Sequence, residues 1–158
     1  MKSETFVARI AVVLLCSHLS ARGADPWARL SGDGRQVVAE ADGLAAFQGS
    51  SSAVYDLNGQ NQRIGTMGSV PVGPVLETTE NTPFGEAACQ TASFAANGAP
   101  GEFTLTLKRL RNLRAFTLQA TFHNRGDGDV RLRSFDLLDT SKGAGGQFGV
   151  ANAADWLV

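Results

Sequence analysis

The strongest constraint on this chain is a period of two. In Glu102–Leu110, Phe103, Leu105 and Leu107 alternate with Thr104, Thr106 and Lys108. Phe116, Leu118, Ala120 and Phe122 then alternate with Thr117, Gln119, Thr121 and His123, and Val130 and Leu132 with Arg131 and Arg133. A helix returns to the same face every three to four residues and a strand every two. Each run therefore carries one apolar and one polar face, as antiparallel strands packed on one side do. Between Leu132 and Phe135 the apolar parity switches, which predicts a β-bulge or bend near Ser134.

Turn signals punctuate the rest: Asp33-Gly34, Asp42-Gly43, Asn58-Gly59, Asn97-Gly98 and Asp127-Gly128. Aspartate and asparagine tolerate positive φ and glycine adopts it freely, so these pairs suit tight connections. Weaker strands are expected around 36–40, 44–47, 53–57, 75–79 and 88–94. The glycine- and proline-rich stretch from Gly59 to Pro74 reads as a long loop, and no internal repeat is visible. Several short strands separated by turns predict an all-β fold, an antiparallel β-sandwich.

The first residues read as a Sec-type export signal. Lys2 and Arg9, diluted by Glu4, precede the apolar stretch IAVVLLCSHL, and Ala21-Arg22-Gly23 fits a small-x-small cleavage site. That stretch is well short of the ~20 apolar residues a membrane span needs. Cleavage after Gly23 is expected, giving a signal peptide over 1–23 and a β-sandwich domain over 24–158; an uncleaved anchor is the rival. The expected location is secreted or periplasmic, without stable membrane association after cleavage.

The mature chain would have 158 − 23 = 135 residues, enough for one domain with a real core. Its basic residues fall from 14 to 11 and its acidic ones from 15 to 14, a net of −3. Cys89 is then without an intrachain partner, which excludes a disulfide scaffold, and its apolar flanks predict a buried inert thiol. His123 becomes the one histidine. Two nitrogen or sulfur side chains are too few for a zinc site, and no G-x-S-x-G motif marks a nucleophile. No metal, cofactor or catalytic residue is expected in this chain.

Charge is uneven. Seven basic residues (Lys108, Arg109, Arg111, Arg114, Arg125, Arg131, Arg133) against Asp127 and Asp129 give 7 − 2 = +5 over 108–133, leaving −8 for the rest of the mature chain. Such a face attracts polyanions, but the aromatic interleaving of a single-strand platform is absent, and a solvated sheet face, or one packed on another domain, explains the charge as well. Nucleic acid is not expected as a partner.

Within this stretch Arg125-Gly126-Asp127 admits three readings: an adhesion signal, part of a metal loop with Asp129, or a turn. Val130–Ser134 supplies none of the further oxygen ligands a hard-cation loop uses. Asn124 to Gly128 is what a tight turn requires on backbone grounds, and a hairpin joining 116–123 to 130–138 is expected. No motif selects two of the acidic residues as a glycosidase pair. Trp27 and Trp156 are of a type that stacks on sugars, although single tryptophans more often serve cores and interfaces.

The spacing Leu105–Leu110 followed by AFTLQATFHNRGDGDVRLRSFDLLD resembles the N-terminal β-sandwich of α-galactosidase-type glycoside hydrolases, the melibiase and raffinose-synthase group. The matching positions are Asn124, Gly126, Val130, Leu132 and the run Phe135–Leu138. Asp155-Trp156-Leu157-Val158 looks like the strand leading to that family's substrate-contacting Gly-aromatic-Gln-Ser-Trp segment, which makes Trp156 the candidate substrate-binding residue. The resemblance covers roughly residues 100–158. It implies a non-catalytic supporting domain of an exported glycoside hydrolase, incomplete at its C-terminal side, with carbohydrate bound through a catalytic (β/α)8 barrel that lies beyond this chain. No position matches that barrel's aspartates. The alternative is a free-standing extracytoplasmic carbohydrate-binding or adhesion module.

Overall fold

The computed structural model describes residues 7–15, 28–41, 44–98, 100–110 and 115–140. These form eleven strands: β1 Val7–Leu15, β2 Ala28–Leu30, β3 Val37–Ala41, β4 Leu44–Leu57, β5 Gln60–Gly65, β6 Val70–Pro71, β7 Leu76–Thr82, β8 Gly85–Ala95, β9 Gly101–Leu110, β10 Ala115–Asn124 and β11 Val130–Asp139. All strand pairs are antiparallel. They divide into a six-stranded sheet, β1-β10-β9-β8 with β6 and β7 sharing the far edge of β8, and a five-stranded sheet, β11-β4-β3-β2 with β5 also on β4. The fold is all-β and sandwich-like, as the alternation predicts.

The core is the interface of the two sheets. The larger sheet contributes Ala92 and Phe94 of β8, Phe103, Leu105 and Leu107 of β9, and Phe116, Leu118, Ala120 and Phe122 of β10. The smaller sheet answers with Leu30, Val37, Ala53, Tyr55 and Ile64, and with the partly buried Leu132 and Phe135 of β11. The rings of Tyr55 and Phe122 meet across the interface with centroids 4.6 Å apart, and those of Phe103 and Phe135 at 6.3 Å. The intervening residues of β9 and β10 face outwards. Thr91 and Thr106 share a hydroxyl–hydroxyl hydrogen bond of 3.1 Å, as do Ser93 and Thr104.

The parity switch in β11 is present. The pairing of β11 with β4 shifts between Leu132 and Ser134, and Arg133 and Ser134 are consecutively exposed. The added residue lets Leu132 and Phe135 both reach the core although they are three apart. Asn58-Gly59 turns the β4–β5 hairpin with both residues at positive φ (51° and 80°), the signature of a type I′ turn.

Three expectations need correction. The stretch 59–74 is not one loop, because it contains β5 and β6. β5 is polar along most of its length, so apolar alternation does not mark it; it is held by pairing Gln60–Gly65 with Ser52–Leu57. The strands expected at 44–47 and 53–57 are one strand, β4. Gly49 to Ser52 interrupts the hydrophobic pattern but not the backbone ladder, since β3 and then β11 and β5 pair through that stretch. Finally, β10 and β11 are not a hairpin. β10 lies between β9 and β1, while β11 pairs with β4 in the other sheet. The five residues 125–129 are long enough, at about 3.3 Å each, to bridge packed sheets about 10 Å apart. In the full-length chain Val7–Leu15, within the expected signal, forms the strand beside β10.

The facing of β10 predicts unequal mutational costs. Phe122, fully buried against Tyr55, should lose about 3–5 kcal/mol on truncation to alanine, whereas Thr121→Ala on the outer face should cost within about 0.5 kcal/mol. Urea unfolding of the two variants measures this, and equal losses would mean the facing is wrong.

Tyr55 supplies a second prediction. Its hydroxyl is buried with no hydrogen-bond partner, and burial pushes its pKa above the usual tyrosine value. Tyr55→Phe should therefore be neutral or stabilise the fold by about 1 kcal/mol. Because the folded state resists ionising this phenol, its contribution is intact below pH about 10 and is lost as pH rises beyond. Unfolding stability should thus fall more steeply with pH in this range for the parent than for Tyr55→Phe.

Candidate functional site

The Arg125-Gly126-Asp127 segment sits on the crossover between the sheets, and its shape follows from Asn124. The Asn124 side chain accepts a hydrogen bond from Gly126 N at 3.0 Å and donates one to Gly128 O at 3.1 Å, closing an Asx-type turn. Arg125 N donates to Pro100 O at 2.6 Å, tying the crossover to the residue preceding β9. Gly126 lies so close to Pro100 that a Cβ there would stand 2.5 Å from the proline ring. The arginine is also engaged: its Nε and one terminal nitrogen both reach Glu102 Oε2, at 2.9 and 2.6 Å. Asp127 and Asp129 are exposed. The tripeptide thus has a backbone and an electrostatic cause within the fold, that of a sheet-to-sheet arch.

Three residues of the basic stretch are engaged in the same way, while Arg111 and Arg114 lie outside the described residues. Lys108 pairs with Glu80 of β7 at 2.6 Å, Arg125 with Glu102, and Arg133 with Asp56 of β4. Lys108 lies on β9 in the larger sheet and Arg133 on β11 in the smaller one, so these cations do not form a single face. Exposed pairs of this kind stabilise by only about 0–1 kcal/mol each. Their effect is to match the charges locally, which suits the reading of a solvated sheet surface.

Cys89 is buried, and burial first, then the neighbouring Glu80 carboxylate, push its thiol above the ordinary range. A thiol held protonated is a poor nucleophile and metal ligand, in line with the inert role expected from its flanks. Its cluster, Ala87, Cys89, Leu110 and Ala115, is separate from the main core. His123 is half-buried at the end of β10, in register with Glu102. Among the described residues no three of His, Cys, Asp and Glu gather into a metal-holding group, and no helix is long and apolar enough to cross a membrane. Trp27 and Trp156, including the candidate substrate-contacting position, lie outside the described residues.

One polar network was not legible in the sequence. Arg35 donates to the carbonyls of Thr66 (2.9 Å) and Ser69 (3.2 Å), and Ser69 Oγ accepts from Gly65 N at 3.1 Å. Thr66 and Ser51 exchange hydrogen bonds, Thr66 N to Ser51 O at 2.9 Å and Ser51 N to Thr66 Oγ1 at 3.2 Å. Ser51 Oγ reaches Leu137 O at 2.5 Å, and Arg63 donates to Ser52 and pairs with Asp136 at 3.3 Å. Ser51 and Thr66 are almost wholly buried. Every group named has its partner inside the fold, so the network fastens the turn after β5 and the strand β11 onto β4. The run Gly49-Ser50-Ser51-Ser52 is its only sequence trace.

Comparison with protein-family models, with curated proteins and with solved structures gives no match for this chain.

The arch yields a prediction that separates its structural role from a recognition role. Asn124→Ala removes both hydrogen bonds of the Asx turn and should cost about 1–3 kcal/mol. Gly126→Ala forces Pro100 aside at a similar cost of about 1–3 kcal/mol. Asp127→Glu should change stability by no more than about 0.5 kcal/mol and leave cell attachment to the immobilised protein unchanged. Attachment abolished by Asp127→Glu would establish adhesion instead.

Proposed function

We propose that this chain is a non-catalytic β-sandwich domain of an exported protein, standing N-terminal to a carbohydrate-active catalytic domain of the α-galactosidase type. The observation that carries this reading is the disposition of the aromatic rings. Phe94, Phe103, Phe116 and Phe122 are the aromatic residues of β8, β9 and β10, and all four are completely buried between the sheets. Sheet faces that recognise sugars present rings for stacking; the outer face of these strands presents the Thr91–Thr106 and Ser93–Thr104 hydroxyl pairs and charged side chains. Strands β8, β9 and β10, whose rings are committed to packing, suit a supporting role.

The exposed apolar side chains fit the same role. Met67, Val70, Val72, Leu76 and Phe84 are each more than half exposed and fall within one stretch of eighteen positions, 67 to 84. Val70 and Leu76 lie on β6 and β7, which share the far edge of β8, an edge open to packing on a neighbouring domain. On this reading carbohydrate is bound by the catalytic domain, this chain needs no cofactor, and the export signal over 1–23 directs the protein out of the cytoplasm.

The reading frame downstream of Val158 tests the proposal. An in-frame (β/α)8 barrel with aspartates at two strand ends, and α-galactosidase activity in the joined protein, are expected. A stop codon directly after Val158, with a well-expressed exported product that binds polysaccharide by itself, would overturn the supporting role in favour of a free-standing module.

A further inference from the structure

Val7–Leu15 holds the outer edge of β10 from end to end. Nine consecutive residue pairs run from Val7 opposite His123 to Leu15 opposite Ala115, with no shift of register. The same residues form most of the apolar part of the export signal, and a segment removed with the signal cannot remain in the sheet. Resting on the export reading above, we propose that the mature chain, beginning at Ala24, is a homodimer. Its two β10 strands pair antiparallel along the edge that Val7–Leu15 covers in the uncleaved chain.

The edge itself argues for an occupant. Open sheet edges are normally guarded by charge, proline, bulges or extreme shortness. The other edges among the described strands conform. β6 carries Pro71, β5 carries Arg63, β7 carries Glu77 and Glu80, β11 carries Arg131, Arg133 and Asp136 with two register shifts, and β2 is three residues long. Ala115 to His123 has none of these: it contains no acidic residue, no lysine or arginine, no proline and no glycine, and it is straight over nine pairs. Without Val7–Leu15 it would be the least protected edge among the described strands.

A second copy fits that edge. Antiparallel pairing centred on Gln119 sets Phe116 opposite Phe122 and Leu118 opposite Ala120, and both pairs lie on the core side of the sheet. The outer side then sets Thr117 opposite Thr121, Gln119 opposite its own copy, and Ala115 opposite His123. The parity of every residue is preserved, so the apolar row of one core runs on into the other, and no two like charges stand in register. One patch pairing with itself about a two-fold axis is the commonest closed assembly.

The test uses the whole chain expressed with its own leader in a host with Sec-type export. The exported protein is recovered, its N-terminus is read by mass spectrometry, and its size is measured by light scattering. An N-terminus at Ala24 and a particle of twice the mature mass are expected. Opposed Cα atoms in such a pair lie about 4.5–5.5 Å apart, within disulfide reach of about 4.4–6.8 Å. Gln119→Cys should therefore crosslink into a dimer on mild oxidation, whereas Thr121→Cys should not, since its counterpart is Thr117. Gln119→Lys opposes two ammonium groups and should weaken the dimer roughly fivefold. A cleaved monomer that does not crosslink at Gln119→Cys would overturn the dimer while leaving export intact, and would mean that a segment of the same chain covers β10. A chain that retains Met1 would overturn the export premise and the dimer with it. Should the cleaved protein associate further, crosslinking at position 119 but not 121 still supports the pairing, and equal crosslinking at both overturns it.

Discussion

The structure depends on one constraint: the even-numbered residues of β10 and the odd-numbered residues of β9 must share a face. Phe103, Leu105 and Leu107 and, opposite them, Phe116, Leu118, Ala120 and Phe122 are all fully buried. A one-residue slip between these strands would turn one of the two sets to water. Burying a large apolar side chain stabilises by about 1.5–3 kcal/mol, so the register is fixed by a penalty far above thermal energy. Everything the second sheet does, from the Tyr55–Phe122 ring contact to the bulge that returns Phe135 to the interior, is an adjustment to that wall.

How much of this is legible in the sequence depends on whether burial or pairing holds each element. β9, β10 and β11 declare themselves because each has one wet and one dry face, and the bulge at Arg133–Ser134 declares itself because that parity breaks. β5 does not. Its residues are mostly polar, and it persists as a strand because β4 offers it a hydrogen-bond ladder. Partner strands of this kind leave no periodic trace. The arch between β10 and β11 is misread for a related reason. Asn-x-Gly-x-Gly chemistry specifies a change of direction, and the choice between returning in the same sheet and crossing to the other is made by which edges are already taken.

The candidate site was legible in kind rather than in place. Glycine and Asx chemistry around Arg125-Gly126-Asp127 announces a turn, and the structure supplies what holds it: the Asn124 side chain, Pro100 and Glu102. Of the basic residues clustered along the chain, Lys108, Arg125 and Arg133 are met by Glu80, Glu102 and Asp56 from other strands. Conversely, the Ser51–Thr66 network unites residues fifteen positions apart and reaches Leu137 eighty-six positions away. No local spacing rule connects such residues.

The position of β4 in this network has a temporal side. Its partner β11 follows Leu57 by 130 − 57 = 73 residues, so the smaller sheet cannot close until that much more chain has emerged. At roughly 5–20 residues per second of synthesis, the interval is about 4–15 s. During that time the Ser51–Ser52 side of β4 lacks its Leu137 and Asp136 partners. Contacts of such high sequence separation also slow folding itself. The nascent chain therefore passes through a period of seconds in which its N-terminal half is exposed and unfinished. Whatever receives the nascent chain meets it first in that open form.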